Sequence, residues 1–136
     1  MKQFIDTAPF IYFIEDHPDF SDKVYQYLAA SLSNNDEFTT SVITLMEFGV
    51  KPEKENRQEV ISQFEELLVE LDIQLLVIDK AIARSAYQLR AKYDFLKAMD
   101  AFQLAAAIEN QCQLFFTNDK KLKRVTEISV LLVEEL

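Results

Sequence analysis

Four acidic residues, Asp6, Glu47, Asp100 and Asp119, stand within or beside apolar runs that should lead into a core. Asp6 follows Phe4-Ile5, and Glu47 lies between Leu45-Met46 and Phe48. Asp100 lies between Ala98-Met99 and Ala101-Phe102, and Asp119 comes directly after Leu114-Phe115-Phe116-Thr117-Asn118. A carboxylate drawn out of water is costly unless a cation or hydrogen-bond donors meet it. Four of them converging would repel one another and raise each other's pKa unless a cation were present. Hard oxygen donors without His or Cys select Mg²⁺ or Mn²⁺, so the chemistry on offer is that of a divalent-metal centre. Each acid also has a plainer use. Asp6 can cap the next helix, Glu47 can be an exposed helical residue, Asp100 can favour the helix dipole, and Asp119 can be a turn residue.

The elements that must position these acids follow from periodicity. Lys2 to Asp6 reads as a strand feeding a helix that starts at Thr7-Ala8-Pro9, with Thr7 as its cap. A second helix runs from about Asp19 to Ser33, followed by a loop at Ser33 to Asp36. Phe38 to Ile43 is a second strand that passes into a helix holding Leu45, Met46 and Phe48, which Lys51-Pro52 stops. About Glu53 to Leu71 is a long amphipathic helix, Ile73 to Ile78 a third strand, and Asp79 the cap of a helix marked by Ile82, Ala86, Leu89 and Tyr93. Ala98 to Cys112 is helical, and Leu114 to Thr117 and Val130 to Val133 complete five strands. Strands alternating with helices indicate an α/β fold with a parallel sheet covered on both faces. In such sheets the functional crevice lies outside the carboxyl ends of the strands, where Asp6 and Asp119 fall, with Glu47 and Asp100 in early turns of helices.

Residues 1–136 suit one domain, with 11 Phe among its core material and no visible linker. A single glycine, Gly49, leaves no phosphate-cradling loop, which weakens the common nucleotide-binding folds. The lone Cys112 reads as a reduced core thiol. The opening residues lack the apolar segment of a signal peptide and no run approaches membrane-spanning length, so a cytoplasmic location without membrane contact is expected. A net charge of −9 runs against nucleic-acid binding, which relies on local Lys and Arg, although divalent ions would offset part of it. A phosphoacceptor domain would need paired acids after the first strand. A hydrolase with an Asp nucleophile would need a second Asp at position 8, which is Ala.

At the four acids the sequence resembles the PIN-domain nucleases, particularly the toxins of VapBC-type toxin-antitoxin pairs. Phe4-Ile5-Asp6-Thr7-Ala8-Pro9-Phe10-Ile11-Tyr12 looks like the family's first acidic motif, with Ala-Pro after Asp-Thr in place of the more usual Asn or Ser. Ser41-Val42-Ile43-Thr44-Leu45-Met46-Glu47 is similar to the second, Asp100-Ala101-Phe102-Gln103-Leu104-Ala105-Ala106-Ala107 to the third, and Thr117-Asn118-Asp119 to the last. Thr117 stands where Arg often precedes Asn in the last motif, a departure from the pattern.

The resemblance implies a three-layer α/β/α fold around a five-stranded parallel sheet, with the first strand central, the second and third to one side and the fourth and fifth to the other. It implies endonucleolytic cleavage of RNA at a site of Asp6, Glu47, Asp100 and Asp119 holding Mg²⁺ or Mn²⁺, a cognate antitoxin and a homodimer. Metal held by Asp6, Asp100 and Glu47 would activate water, with Asp119 binding a second ion or orienting water. Thr7, Ser41, Thr117 and Asn118 are candidates to hydrogen-bond the carboxylates, against ordinary cap or turn uses. Lys120, Lys121, Lys123 and Arg124 are candidates to hold the RNA backbone, against the plainer reading of a solvated helix end. The competing function is a protein-binding module of the same fold without nuclease activity.

Overall fold

A computed structural model describes residues 1 to 136. The strands β1 (Lys2–Ile5), β2 (Glu37–Ser41), β3 (Gln74–Leu76), β4 (Leu114–Thr117) and β5 (Ser129–Leu132) form one sheet in the order β3-β2-β1-β4-β5, with every pairing parallel. The helices are α1 (Thr7–Ile14), α2 (Ser21–Ser33), α3 (Val42–Lys54), α4 (Gln58–Glu70), α5 (Lys80–Lys92) and α6 (Ala98–Glu109). Short 3₁₀ turns follow at Lys120–Arg124 and Val133–Glu135.

Alternation along the central strands builds two apolar layers, because successive strand residues point to opposite faces. Phe4 and Phe115 stack at 5.2 Å and join Ile82, Leu89 and Leu104 from α5 and α6 on one face. Ile5 and Phe116 face the other way, toward Phe10, Leu28, Phe48 and Phe64 from the first four helices. Burying both faces explains why these strands read as continuous hydrophobic runs. Cys112 is a free, buried thiol beside the Thr39 hydroxyl at 3.3 Å.

With one glycine in the chain, the helix ends are closed by other residues. Asp16, Asn35, Asn56, Asp72 and Gln111 all have φ between 50° and 61°. Each lies two residues beyond the end of its helix, the position glycine usually fills. The following N–H groups reach back into the last turn, as at Ile73 to Leu68 O (2.8 Å), Cys112 to Ala107 O (2.9 Å) and Arg57 to Pro52 O (2.9 Å). These paired reversals satisfy the carbonyls that a helix end leaves free.

Several boundaries differ from the sequence reading. Asp6, not Thr7, caps α1: its side chain accepts the Thr7 N–H, and Thr7 is already helical. The second strand ends at Ser41 rather than Ile43, because the Ser41 hydroxyl accepts the Ile43 N–H and starts α3 there. Pro52 does not stop α3; it is buried inside the last turn, and the reversal at Asn56 ends the helix. Consequently α4 starts at Gln58, not Glu53. The third strand spans only Gln74–Leu76, and α6 ends at Glu109, with Cys112 in the reversal that follows.

Candidate active site

Asp6 ends β1 as the sheet gives way to α1. The pairing of Ile5 with Phe116 brings the next residues, Asp6 and Thr117, together, and the Asp6 N–H donates to Phe116 O at 2.9 Å. Its Oδ1 accepts from the Thr7 N–H (2.9 Å) and from Gln103 Nε2 (3.2 Å), and its Oδ2 accepts from the Thr117 hydroxyl (2.8 Å). Burial raises the Asp6 pKa to about 6 despite these donors, and the charge of Asp100 adds to the rise.

Asp100 occupies the first turn of α6 and is partly buried. Its pKa is raised first by burial, then by the charges of Asp119 and Glu47, while Lys97 and Lys121 offset part of this. Asp119 caps the turn at Lys120–Arg124, with Oδ1 accepting the Lys121 N–H at 3.1 Å. Glu47 lies on an exposed part of α3, and its Oε1 accepts from the Thr7 hydroxyl at 2.7 Å. The four acids thus lie at the carboxyl edge of the sheet, with Asp100 linked by charge to Asp6, Glu47 and Asp119. They do not converge to a point, and no three of them are drawn into a ready coordination sphere. Glu47 is anchored on the Thr7 hydroxyl rather than on another member of the group. The donor set fits a hard divalent cation: it is all oxygen, and a cation would offset the desolvation and mutual charge that raise the pKa of the partly buried Asp6 and Asp100.

Of the residues expected to hydrogen-bond these acids, Thr7 donates to Glu47 and Thr117 to Asp6. Thr117 also accepts the Asp119 N–H at 3.2 Å. Ser41 and Asn118 are a correction. Ser41 donates to Gln103 Oε1 and caps α3, while Asn118 donates to the Tyr12 hydroxyl and accepts the Glu134 N–H. Neither meets a carboxylate, because the helix start and the last turn claim their polar atoms. Gln103 and Thr44 were missed in the sequence. Gln103 lies three residues beyond Asp100, on the same face of α6, a signal that a lone polar residue in an Ala-rich stretch could have given.

The basic segment is split by its neighbours. Lys120 pairs with Glu134 at 3.4 Å, Lys123 with Glu135 at 3.0 Å, and Arg124 lies over the Phe95 ring at 4.2 Å. Lys121 is the member whose charge reaches Asp100. His17 serves its turn: Nδ1 accepts the Asp19 and Phe20 N–H groups, and the ring packs on Tyr12 and Phe20.

The model of the PIN domain matches residues 4–128. Among solved structures, the chain is similar to VapBC2 from Rickettsia felis bound to a DNA fragment from its promoter, with a TM-score of 0.80 and 19% identity over 97% of this chain and 98% of the other. It is similar to DNA-bound VapBC from Salmonella typhimurium at a TM-score of 0.79 and 21% identity, covering 98% of each chain. It is also similar to VapC20 from Mycobacterium tuberculosis, described as a sarcin-ricin loop cleaving toxin, at a TM-score of 0.71 and 12% identity over 93% of this chain and 98% of that one. No curated protein matches the chain in sequence. With the family model spanning nearly the whole sequence and the sheet in the expected order, the chain belongs to the PIN domain family.

Proposed function

We propose that the protein is a Mg²⁺- or Mn²⁺-dependent endoribonuclease, the toxin of a toxin-antitoxin pair, acting in the cytoplasm. The observation that carries this reading is the run of acids along the carboxyl edge of the sheet. There Asp6 is raised to about 6 and Asp100 is raised by burial and by Asp119 and Glu47. Carboxylates raised in this way by burial and by one another's charge are prepared for a cation, which would favour their ionised form. Asp6, Asp100 and Glu47, with Asp119 beside them, would hold the ion, which lowers the pKa of bound water and offsets charge on a phosphate. Thr117 fixes Asp6 and links it to Asp119, while Thr7 fixes Glu47. Lys97 and Lys121, whose charges reach Asp100, would meet the backbone phosphates.

RNA as substrate and an antitoxin as partner rest on the similarity to toxin-antitoxin complexes and to a toxin described as cleaving the sarcin-ricin loop. The partner's seat in this reading is the groove between α1, α2 and α4, of about 410 Å³. Phe13, Tyr25 and Leu67 supply its apolar surface, and Asp22, Glu66 and Glu70 its acidic rim. That chemistry suits an amphipathic segment bearing Lys or Arg. A homodimer is part of the proposal, motivated by Leu75, Val77 and Tyr87, large apolar side chains left exposed. Light scattering should give twice the mass of the chain, and a single-chain mass contradicts it. No helix is long and apolar enough to cross a membrane.

Calorimetric titration with Mn²⁺ tests the site. Binding should be strongly weakened in Asp6→Asn and in Asp100→Asn, and unchanged binding in both contradicts the assignment.

A further inference from the structure

We propose that Gln103 is a positioning residue that locks the Asp6 carboxylate against α6, with its own amide oriented by Ser41; this rests on the metal-dependent reading above. Gln103 is 1% exposed, in the middle of α6 between Phe102 and Leu104. An amide in such a place is costly unless its polar atoms are met. Every one is met: Nε2 donates to Thr44 Oγ1 at 2.7 Å and to Asp6 Oδ1 at 3.2 Å, and Oε1 accepts from the Ser41 hydroxyl.

The direction of the amide is set by its neighbours. Ser41 Oγ already accepts the Ile43 N–H at 3.1 Å, which leaves its proton for Gln103 Oε1. A flipped amide would place its carbonyl oxygen against the Asp6 carboxylate, two acceptors with no proton between them. The network therefore keeps an N–H aimed at Asp6.

Of the three donors to Asp6, Thr7 belongs to the adjoining residue and Thr117 to β4. Gln103 reaches it from α6, the helix that carries Asp100 three residues earlier. It fixes the orientation of one acid relative to the element holding the other. Without it, the repulsion between Asp6 and Asp100 acts on a carboxylate that has lost its tie to that helix. Partners of this kind, which orient a metal-binding carboxylate, typically contribute about 10- to 100-fold in metal affinity or activity.

The test is a Mn²⁺ titration of the full chain by calorimetry, with melting temperatures recorded in parallel. Gln103→Met keeps the bulk and removes the donors, and it should raise the Mn²⁺ Kd roughly tenfold or more. In RNA cleavage it should lower kcat while leaving KM near the parent value. Ser41→Ala leaves Gln103 in place but removes the proton that orients it, and it should weaken Mn²⁺ binding in the same direction. This second variant decides the matter if Gln103→Met does not fold. A purely structural Gln103 would lower the melting temperature and leave the Kd of the folded variants at the parent value, a result that overturns the inference alone. A parent that binds no Mn²⁺ overturns the metal-dependent reading and this inference with it.

Discussion

The Thr117 hydroxyl donates to Asp6 Oδ2 at 2.8 Å while accepting the backbone N–H of Asp119 at 3.2 Å. One side chain at the end of β4 thereby ties the acid that ends β1 to the acid that starts the following turn. The parallel register of Ile5 with Phe116 makes this contact possible, and the burial it entails sets the protonation behaviour of Asp6.

That behaviour predicts how stability varies with pH. The folded pKa of Asp6, about 6, lies above its ordinary value of 3.8, so the folded state holds the proton more tightly than the unfolded chain. The stabilisation is present in full below the ordinary value and is lost as pH rises through about 6. Asp100 is shifted in the same direction. Metal-free protein should melt a few degrees lower at about pH 7 than at about pH 5, and Asp6→Asn should remove much of that slope. Thermal melts in EDTA check this, and an unaltered slope in Asp6→Asn contradicts it.

The left-handed reversals predict a stabilising substitution. Gln111 has a φ of 61° with a side chain that disfavours that region, and it closes α6. Gln111→Gly should relieve the strain at some entropic cost in the unfolded chain, for a net gain of about 0.5–1 kcal/mol. Urea unfolding checks it: an unchanged or lower midpoint at constant slope counts against the account of the helix ends.

The split of the basic segment predicts unequal roles in RNA binding. Lys121→Ala and Lys97→Ala should weaken binding and each reduce the slope of log affinity against log salt by about 1. Lys120→Ala and Lys123→Ala should have smaller effects, because Glu134 and Glu135 already engage those ammonium groups. Fluorescence anisotropy over a salt series, in an Asp100→Asn background, measures this. Equal effects at all four positions contradict the division.

Much of the fold was legible because the buried strands and amphipathic helices carry distinct periodicities, as at Phe4-Ile5, Leu114 to Phe116 and the Phe64, Leu67, Leu68 side of α4. The boundaries were less so. Ser41 both ends a β-branched stretch and caps a helix, and only the cap geometry decides that Val42 and Ile43 are helical. Pro52 looked like a stop because an internal proline removes a hydrogen bond, yet the last turn of α3 tolerates it. For the site, the acids were visible as charges interrupting apolar runs. The partners of Asp6 were half visible: Thr117 is adjacent in motif, whereas Gln103 is a neutral residue whose role depends on helix phase and on Ser41 across a gap of 62 residues. That no three of the acids form a ready coordination sphere was not legible, since it depends on exact side-chain placement.

The most direct test of the central claim is cleavage of single-stranded RNA by the purified protein, measured with Mn²⁺, with EDTA, and with folded Asp100→Asn protein. Replacing the carboxylate by an amide preserves shape and removes the charge that would hold the ion, so the loss belongs to the chemical step rather than to folding. The proposed function requires cleavage with Mn²⁺ that is abolished both by EDTA and by Asp100→Asn. Cleavage that persists in EDTA, or an Asp100→Asn protein as active as the parent, would contradict it.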